Sequence, residues 1–371
     1  MKILFTIDSL QQGGAEQSIA NLIRYFSKDV EVSVLYFYKK DDLLPLYQTL
    51  NCDLIAMNLP GKYNWVKAIK ELKKIIKNNK PDLVVSSLYR SNIISRISCK
   101  ITGTPLVGTF VDDSYSVERR KTFKGVSQFK YQMTWLLDRL TSFIPKIWIS
   151  NSKSIGEHNA KKLGIQESKI KVVYRGRNTG AFKEWIAPTN EIFTFISIGR
   201  LYEKKGYPEL IEAFAKVSSQ YNNVSLHIYG EGDYRKMIEE RISQLGIQDK
   251  VKLFGNVPDA WTQMYNAHCF VFPSRFEGFS GALVEAMMTG IPIISSDIPM
   301  NLEAVTEGET ALVHKLKDAN DLAEKMQLMI TNYSTMIAMG SRARALATEK
   351  FNIQTIARQY QDILEKAVLK N

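Results

Sequence analysis

Cysteine is nearly absent from this chain: Cys52, Cys99 and Cys269 are scattered, odd in number and never spaced as Cys-x-x-Cys. Such a set supports neither a disulfide framework nor a zinc site. No apolar run reaches the roughly 18 residues that would suggest a membrane-spanning helix. The opening MKILFTIDSL has one Lys and then a short strand-like run, too brief for a secretory signal. These absences predict a cytoplasmic location with reduced thiols. Internal repeats and low-complexity segments are missing too, so neither a repeat array nor a long disordered linker is expected.

Acidic residues run short in one half only. Residues 1–185 hold 30 Lys and Arg against 16 Asp and Glu, and the remainder holds 19 against 22. All the excess behind the formal charge of +11 therefore lies in the first half. A one-sided excess suits a polyanionic surface, and nucleic acid or anionic lipid fits on that ground alone. The cations do not cluster in a known nucleic-acid motif, which argues against the first.

What is present is regular alternation. With 371 residues the chain exceeds one typical core, so two domains are expected. In the first half KILFTI, EVSVLYF, LVVSSL, PLVGTF and KIWIS read as strands, with AEQSIANLIRYFS and WVKAIKELKKIIKN as amphipathic helices between them. The second half repeats the scheme with FTFISIGR, VSLHIYG, VKLFG, CFVFPS and PIISSD. Alternation of this kind implies parallel sheets covered on both faces. The expected fold class is α/β, two doubly wound Rossmann-like domains facing across a cleft. Their boundary falls in the stretch 175–191, placing the domains at 1–182 and 183–352. The final segment 353–371 reads as an amphipathic helix able to pack back on the first domain.

Ligands in doubly wound sheets sit beyond the carboxyl ends of strands, so residues just after each strand are the candidates. After the first strand, Gly13 and Gly14 lead into a helix; this is either a close approach to a ligand or a plain tight turn. After FTFISI come Arg200 and Lys205, a pair suited to phosphate oxygens or, equally, to water. Gly230 and Val257 follow two further strands. Then SRFEGFSGALVEAMMTG carries Glu277 in a loop and Glu285 on the helix that follows. Eight residues of helix would hold two carboxylates roughly 12 Å apart, too far for one proton transfer and suited to the two ends of a long ligand. Backbone N–H groups near Ser280 and Gly281 would face a phosphate. Alternatively Glu277 is a cap and Glu285 a surface charge.

The ordered set GGAEQS, GRLYEKKG, FGNV, PSRFEGFSGALVEAMMTGIPIISSD and NLEAVTEGETALV resembles family 4 of the retaining nucleotide-sugar glycosyltransferases, which have the GT-B fold. The resemblance covers nearly the whole chain and implies an acceptor-binding first domain and a donor-binding second domain. It implies that Glu277 contacts the donor hexose and Glu285 the nucleotide ribose. It implies further that Arg200 and Lys205 clamp the pyrophosphate, and that Phe279, Ser280 and Gly281 offer backbone groups to the sugar and phosphate. Gly14 matches the first-domain glycine turn, while Gly230 and Val257 lie in loops that select the base and hexose. Catalytic roles are expected for Glu277, Asp112, Arg200 and Lys205. No Asp-x-Asp occurs anywhere, which argues against the metal-bound diphosphate of the other common transferase design. The expectation is therefore a hexose-type sugar transferred without metal or cofactor, the anomer retained, to a glycan or lipid-linked acceptor in surface polysaccharide synthesis.

One departure stands out. Many relatives carry a His after the fourth first-domain strand, where this chain reads VGTFVDDSY. Asp112 either substitutes for it or joins Asp113 in capping the next helix. The four histidines are read as structural or surface residues. The segments 62–80 and 118–140 mix Lys and Arg with apolar residues. They can be ordinary covering helices or can rest on an anionic membrane surface. Two other functions remain open on sequence alone: a same-fold sugar-nucleotide epimerase, and an inactive basic binding protein.

Overall fold

The computed structural model describes residues 1–61, 64–116, 119–120 and 125–369. Positions 62–63 of the first basic segment, and 118 and 121–124 of the second, lie outside the described residues. The chain divides into two compact units, Met1–Gly176 with Ile353–Asn371, and Arg177–Asn352.

The first unit is built on a seven-stranded sheet in the order β3-β2-β1-β4-β5-β6-β7. Its strands are β1 (Lys2–Ile7), β2 (Glu31–Tyr36), β3 (Asp53–Ala56), β4 (Leu83–Ser87), β5 (Leu106–Phe110), β6 (Ile147–Ser150) and β7 (Ile170–Val172), all paired in parallel. Successive side chains of a strand point to opposite faces, so a strand buried on both faces must be apolar throughout. β1 shows this directly. Ile3, Phe5 and Ile7 join Ile19, Ile23 and Tyr360 in one core, while Leu4 joins Leu72 and Ile94 in the other. The helices Gly14–Arg24 and Ile353–Leu369 supply the first layer, and Trp65–Asn79 and Tyr89–Thr102 the second. The terminal helix buries Ile353, Ile356, Ala357, Tyr360 and Leu364 in the first of these cores.

The second unit has a six-stranded parallel sheet in the order β10-β9-β8-β11-β12-β13. Its strands are β8 (Phe193–Ile198), β9 (Val224–Tyr229), β10 (Val251–Gly255), β11 (Cys269–Phe272), β12 (Ile293–Ser296) and β13 (Leu312–His314). One face is covered by the helices Tyr207–Gln220 and Ala319–Thr331. Leu210, Ile211, Phe214 and Val217 of the former recur at helical spacing and pack on Phe195, Leu226 and Ile228 of the strands. In each sheet the strand order reverses beside the first strand, between β1 and β4 and between β8 and β11. Such a reversal leaves a crevice at the carboxyl ends of the two strands, the usual ligand position in doubly wound sheets. Among the described residues no helix is long and apolar enough to cross a membrane.

Three short strands, β3, β7 and β13, were not expected from the sequence. They hold only three or four residues each, too few to display a period.

Candidate functional site

The residues singled out in the second half gather along one edge of its sheet. Arg200 and Lys205 follow β8, Gly230 follows β9, Val257 follows β10, and Glu277 follows β11. These strands are neighbours in the order β10-β9-β8-β11. Lys205 and Glu277 therefore flank the crevice where the order reverses. They meet there: Lys205 Nζ lies 2.5 Å from Glu277 Oε1, and both side chains are mostly buried. Burial works to lift the Glu277 carboxyl, but Lys205 beside it and Lys204 nearby reverse this and hold it below the usual carboxylate range. The carboxylate is thus kept charged in a partly dehydrated place, which strengthens its pull on any hydroxyl that reaches it.

Backbone geometry brings Lys205 to this spot. The loop after β8 tightens into one 3-10 turn, Glu203–Lys205, and ends at Gly206 with φ of +72°. A Cβ at Gly206 would run into the carbonyl of Pro273, just past β11. Only glycine allows both the left-handed turn and this contact between the two loops. Gly230 plays a similar part, with φ of +140° and its backbone against the Gly199 carbonyl. Val257 is half-buried in the loop beyond β10. Arg200 is exposed, its guanidinium 5.1 Å from the centre of the Tyr202 ring.

The helix Gly281–Thr289 begins at the same edge. Ser280 caps it, its hydroxyl accepting from the Leu283 N–H at 3.4 Å. Phe279 is fully buried, its ring 5.2 Å from Phe351, so this side chain anchors the loop and leaves only its backbone for a ligand. Glu285 lies one turn into the helix, where its Oε1 accepts from Arg177 Nε at 2.8 Å. A Cβ at Gly281 would strike the Arg177 guanidinium, so this cation covers the first turn of the helix. Arg177 was not among the expected site residues. It lies in the boundary stretch without periodicity, 108 positions from Glu285, and nothing local marks it.

In the first unit, Gly14 opens the helix after β1, with Gly13 as its N-cap. A Cβ at Gly14 would come within 2.7 Å of Arg175 Nη1. The crevice between β1 and β4 is bridged by Asp8, whose Oδ1 accepts from the Ser91 N–H at 2.8 Å while Oδ2 lies 3.4 Å from Arg90 Nη1. Burial lifts the Asp8 carboxyl above its ordinary value despite these partners. Asp112 lies beyond β5 and holds its own loop together. It lies 2.5 Å from Arg119 Nη1 and accepts from the Ser114 hydroxyl at 2.6 Å. Its neighbour Asp113 meets His158 Nδ1 at 2.7 Å. Sequence reading set His158 aside as structural or surface; the fold carries it to the loop where relatives are expected to have a histidine. Among the described residues, no three His, Cys, Asp or Glu side chains are grouped to hold a metal ion.

Two protein-family models match consecutive stretches of the chain. The one described as glycosyltransferase family 4 takes residues 12–180, and the one described as glycosyl transferases group 1 takes residues 181–346. The chain is 27% identical over 323 residues to the capsular polysaccharide biosynthesis glycosyltransferase CapM of Staphylococcus aureus, covering 81% of this chain and 82% of that one. It is 25% identical over 378 residues to a Campylobacter jejuni diphospho-undecaprenol 4-alpha-N-acetylgalactosaminyltransferase, covering 97% and 99%. Among solved structures, Anabaena HepE in complex with UDP-glucose superposes with a TM-score of 0.82 at 21% identity, over 99% of this chain and 100% of that one.

Proposed function

We propose that this chain, which belongs to the family 4 glycosyltransferases and has their GT-B fold, moves a hexose-type sugar from a nucleoside-diphosphate sugar to a glycan or lipid-linked acceptor with retention of the anomer. The observation that carries this reading is the Lys205–Glu277 pair at the strand reversal, beside a capped helix bearing Glu285. A cation, a helix N-terminus and two carboxylates on one sheet edge suit a ligand with an anionic middle and hydroxylated ends.

In this reading Glu277 accepts hydrogen bonds from donor hexose hydroxyls and Glu285 from the ribose. Lys205, Arg200 and the N–H groups after Ser280 surround the diphosphate. As the glycosidic bond breaks, the leaving diphosphate gains negative charge. Groups already oriented toward it stabilise the transition state more than the ground state, which is what raises the rate. Arg177 stabilises the charge of Glu285 and fixes its direction when the ribose arrives. A donor phosphate oxygen takes the acceptor proton, and no metal takes part, in keeping with the lack of any Asp-x-Asp. The loops at Gly230 and Val257 border the base, and Gly14 is taken as a donor-binding residue as well. The Anabaena protein's UDP-glucose complex makes a uridine donor the first to test.

The first unit binds the acceptor in this proposal. The capsular and undecaprenol-linked activities of the two relatives support surface polysaccharide synthesis on a lipid-linked acceptor. The cationic excess of residues 1–185 supports residence at an anionic membrane face. Asp112, or the neighbouring Asp113–His158 pair, orients the acceptor hydroxyl.

The test is nucleotide release from each of a panel of nucleotide hexoses, with and without a lipid-linked saccharide, followed by NMR of the product anomer. Release that requires the acceptor and gives the donor's own anomer is expected. Conversion of the donor without acceptor would instead identify an epimerase, and no turnover of any donor a binding protein.

A further inference from the structure

We propose that the helix Val126–Thr141 of the first unit is the element that seats this protein on an anionic membrane. It would do so through an apolar stripe formed by Phe129, Met133, Leu136, Leu140 and Phe143. These five side chains are between 40% and 64% exposed. Their separations alternate between four and three residues, which places Phe129 to Leu140 on one stripe of a 3.6-residue helix. Phe143 continues it two residues past the helix end. Large apolar side chains exposed singly are ordinary, whereas a contiguous row marks a contact surface.

The opposite side of the helix is fastened to the unit. Asp138, two residues from Leu136, is buried and takes the guanidinium of Arg96 and the hydroxyl of Tyr115. Arg96 also donates to Thr141 Oγ1 at 3.0 Å and lies 4.5 Å from the Trp148 ring centre. Trp135 Nε1 donates to the Lys162 carbonyl at 3.2 Å. The polar anchors thus fix which face looks outward, and the outward face is the apolar one. This is the reverse of an ordinary covering helix, whose apolar side faces its own core. The helix Trp65–Asn79 follows the ordinary rule, burying Ala68, Leu72 and Ile76 and exposing its lysines.

Charge selects the occupant. Residues 118–146 hold seven Lys and Arg against two acidic residues, Glu118 and Asp138, and Asp138 is already buried against Arg96. Lys130 and Arg139 flank the exposed stripe, and Lys161 and Lys162 are exposed at the end of the adjoining helix. A second copy of the same helix would bring these cations against their own counterparts, and the one acidic residue of the helix, Asp138, is buried and already paired. Anionic headgroups beside an acyl layer satisfy the stripe and its basic border together. Sixteen residues rise about 24 Å, short of a bilayer's hydrocarbon thickness, so the helix lies in the interface plane.

This inference deepens the membrane reading above and is independent of donor and acceptor chemistry. The test is co-sedimentation of the full-length chain with vesicles of phosphatidylcholine alone, or mixed equally with phosphatidylglycerol. Binding to the mixed vesicles and not to the neutral ones is expected. Met133→Glu with Leu140→Glu should weaken it by at least about tenfold with melting temperature unchanged, and Lys130→Glu by a few-fold. Wild-type binding that survives the double substitution would sink the stripe while leaving the membrane reading standing. Absence of wild-type binding would overturn both. A wild-type dimer dissolved by the double substitution would also overturn the proposal, by assigning the stripe to a second copy.

Discussion

The two units share a strand order and differ in what they place at its reversal. In the first unit the β1/β4 crevice is closed by Asp8, tied to the Ser91 backbone and to Arg90, with its carboxyl lifted by burial. In the second unit the β8/β11 crevice holds Lys205 against Glu277, with the carboxyl held low, and a capped helix N-terminus opens beside it. One carboxylate is costly to keep charged where it is; the other is stabilised as a charge. The lesson is that topology supplies only the crevice, and the loop residues decide whether it holds a lifted carboxyl or a carboxylate paired with a cation.

The largest test of this contrast is Lys205→Ala. Removing the cation that meets Glu277 and faces the proposed diphosphate should lower kcat/KM for the nucleotide sugar by about 10² to 10³. Steady-state nucleotide release measures it. Asp8→Asn should change the same constant by less than about threefold, since the amide still accepts from the Ser91 N–H. Equal losses in the two variants would erase the distinction between the crevices.

Next in size is the ribose end. Glu285→Ala and Arg177→Gln should each weaken donor binding by roughly tenfold, the order expected for a charged hydrogen bond. Both should also reduce the preference for a ribonucleotide over its 2′-deoxy analogue in competition binding. Loss of that preference in Glu285→Ala but not in Arg177→Gln would deny the arginine its positioning role.

A smaller effect separates the two carboxylates by sign. Glu277 has a lowered pKa, so its contribution is present above the unfolded value near pH 4.3 and is lost as pH falls through the folded one. Asp8 has a raised pKa, so its contribution is present at low pH and is lost as pH rises through the lifted value. The melting-temperature advantage of wild type over Glu277→Gln should therefore shrink on acidification from about pH 5 to about pH 3, by a few degrees. Measured against Asp8→Asn, it should move the other way. Parallel trends would contradict the assigned environments. Smallest of all is Gly14→Ala, where the flexible end of Arg175 can give way; a donor KM raised about two- to fivefold is expected, with little change in melting.

Much of this contrast was legible in the sequence because it follows strands. KILFTI and FTFISI announce β1 and β8 by continuous apolar character, and Gly14, Arg200 and Lys205 are found by looking just beyond them. Glu277 and Glu285 were found the same way, after CFVFPS and on the helix that follows. What was hidden is contact between distant segments. Arg177 reaches Glu285 across 108 positions, and His158 reaches Asp113 across 45. No local period encodes either meeting. The exposed stripe was half-visible: the segment 118–140 reads as amphipathic, but which face turns outward is set by the burial of Asp138 against Arg96, a tertiary fact. The edge strands β3, β7 and β13 were missed because so few residues display no alternation.

The central claim is that a nucleoside-diphosphate sugar binds at the carboxyl edge of the second sheet. Thermal melting of wild type, Lys205→Ala and Glu285→Ala with UDP-, GDP-, ADP- and dTDP-sugars tests it most directly, since a ligand stabilises in proportion to the logarithm of its concentration over Kd. The account predicts that one donor class raises the wild-type melting temperature and that both variants respond to it with a clearly smaller shift. An undiminished response in both variants, or none from wild type to any of the four, would contradict it.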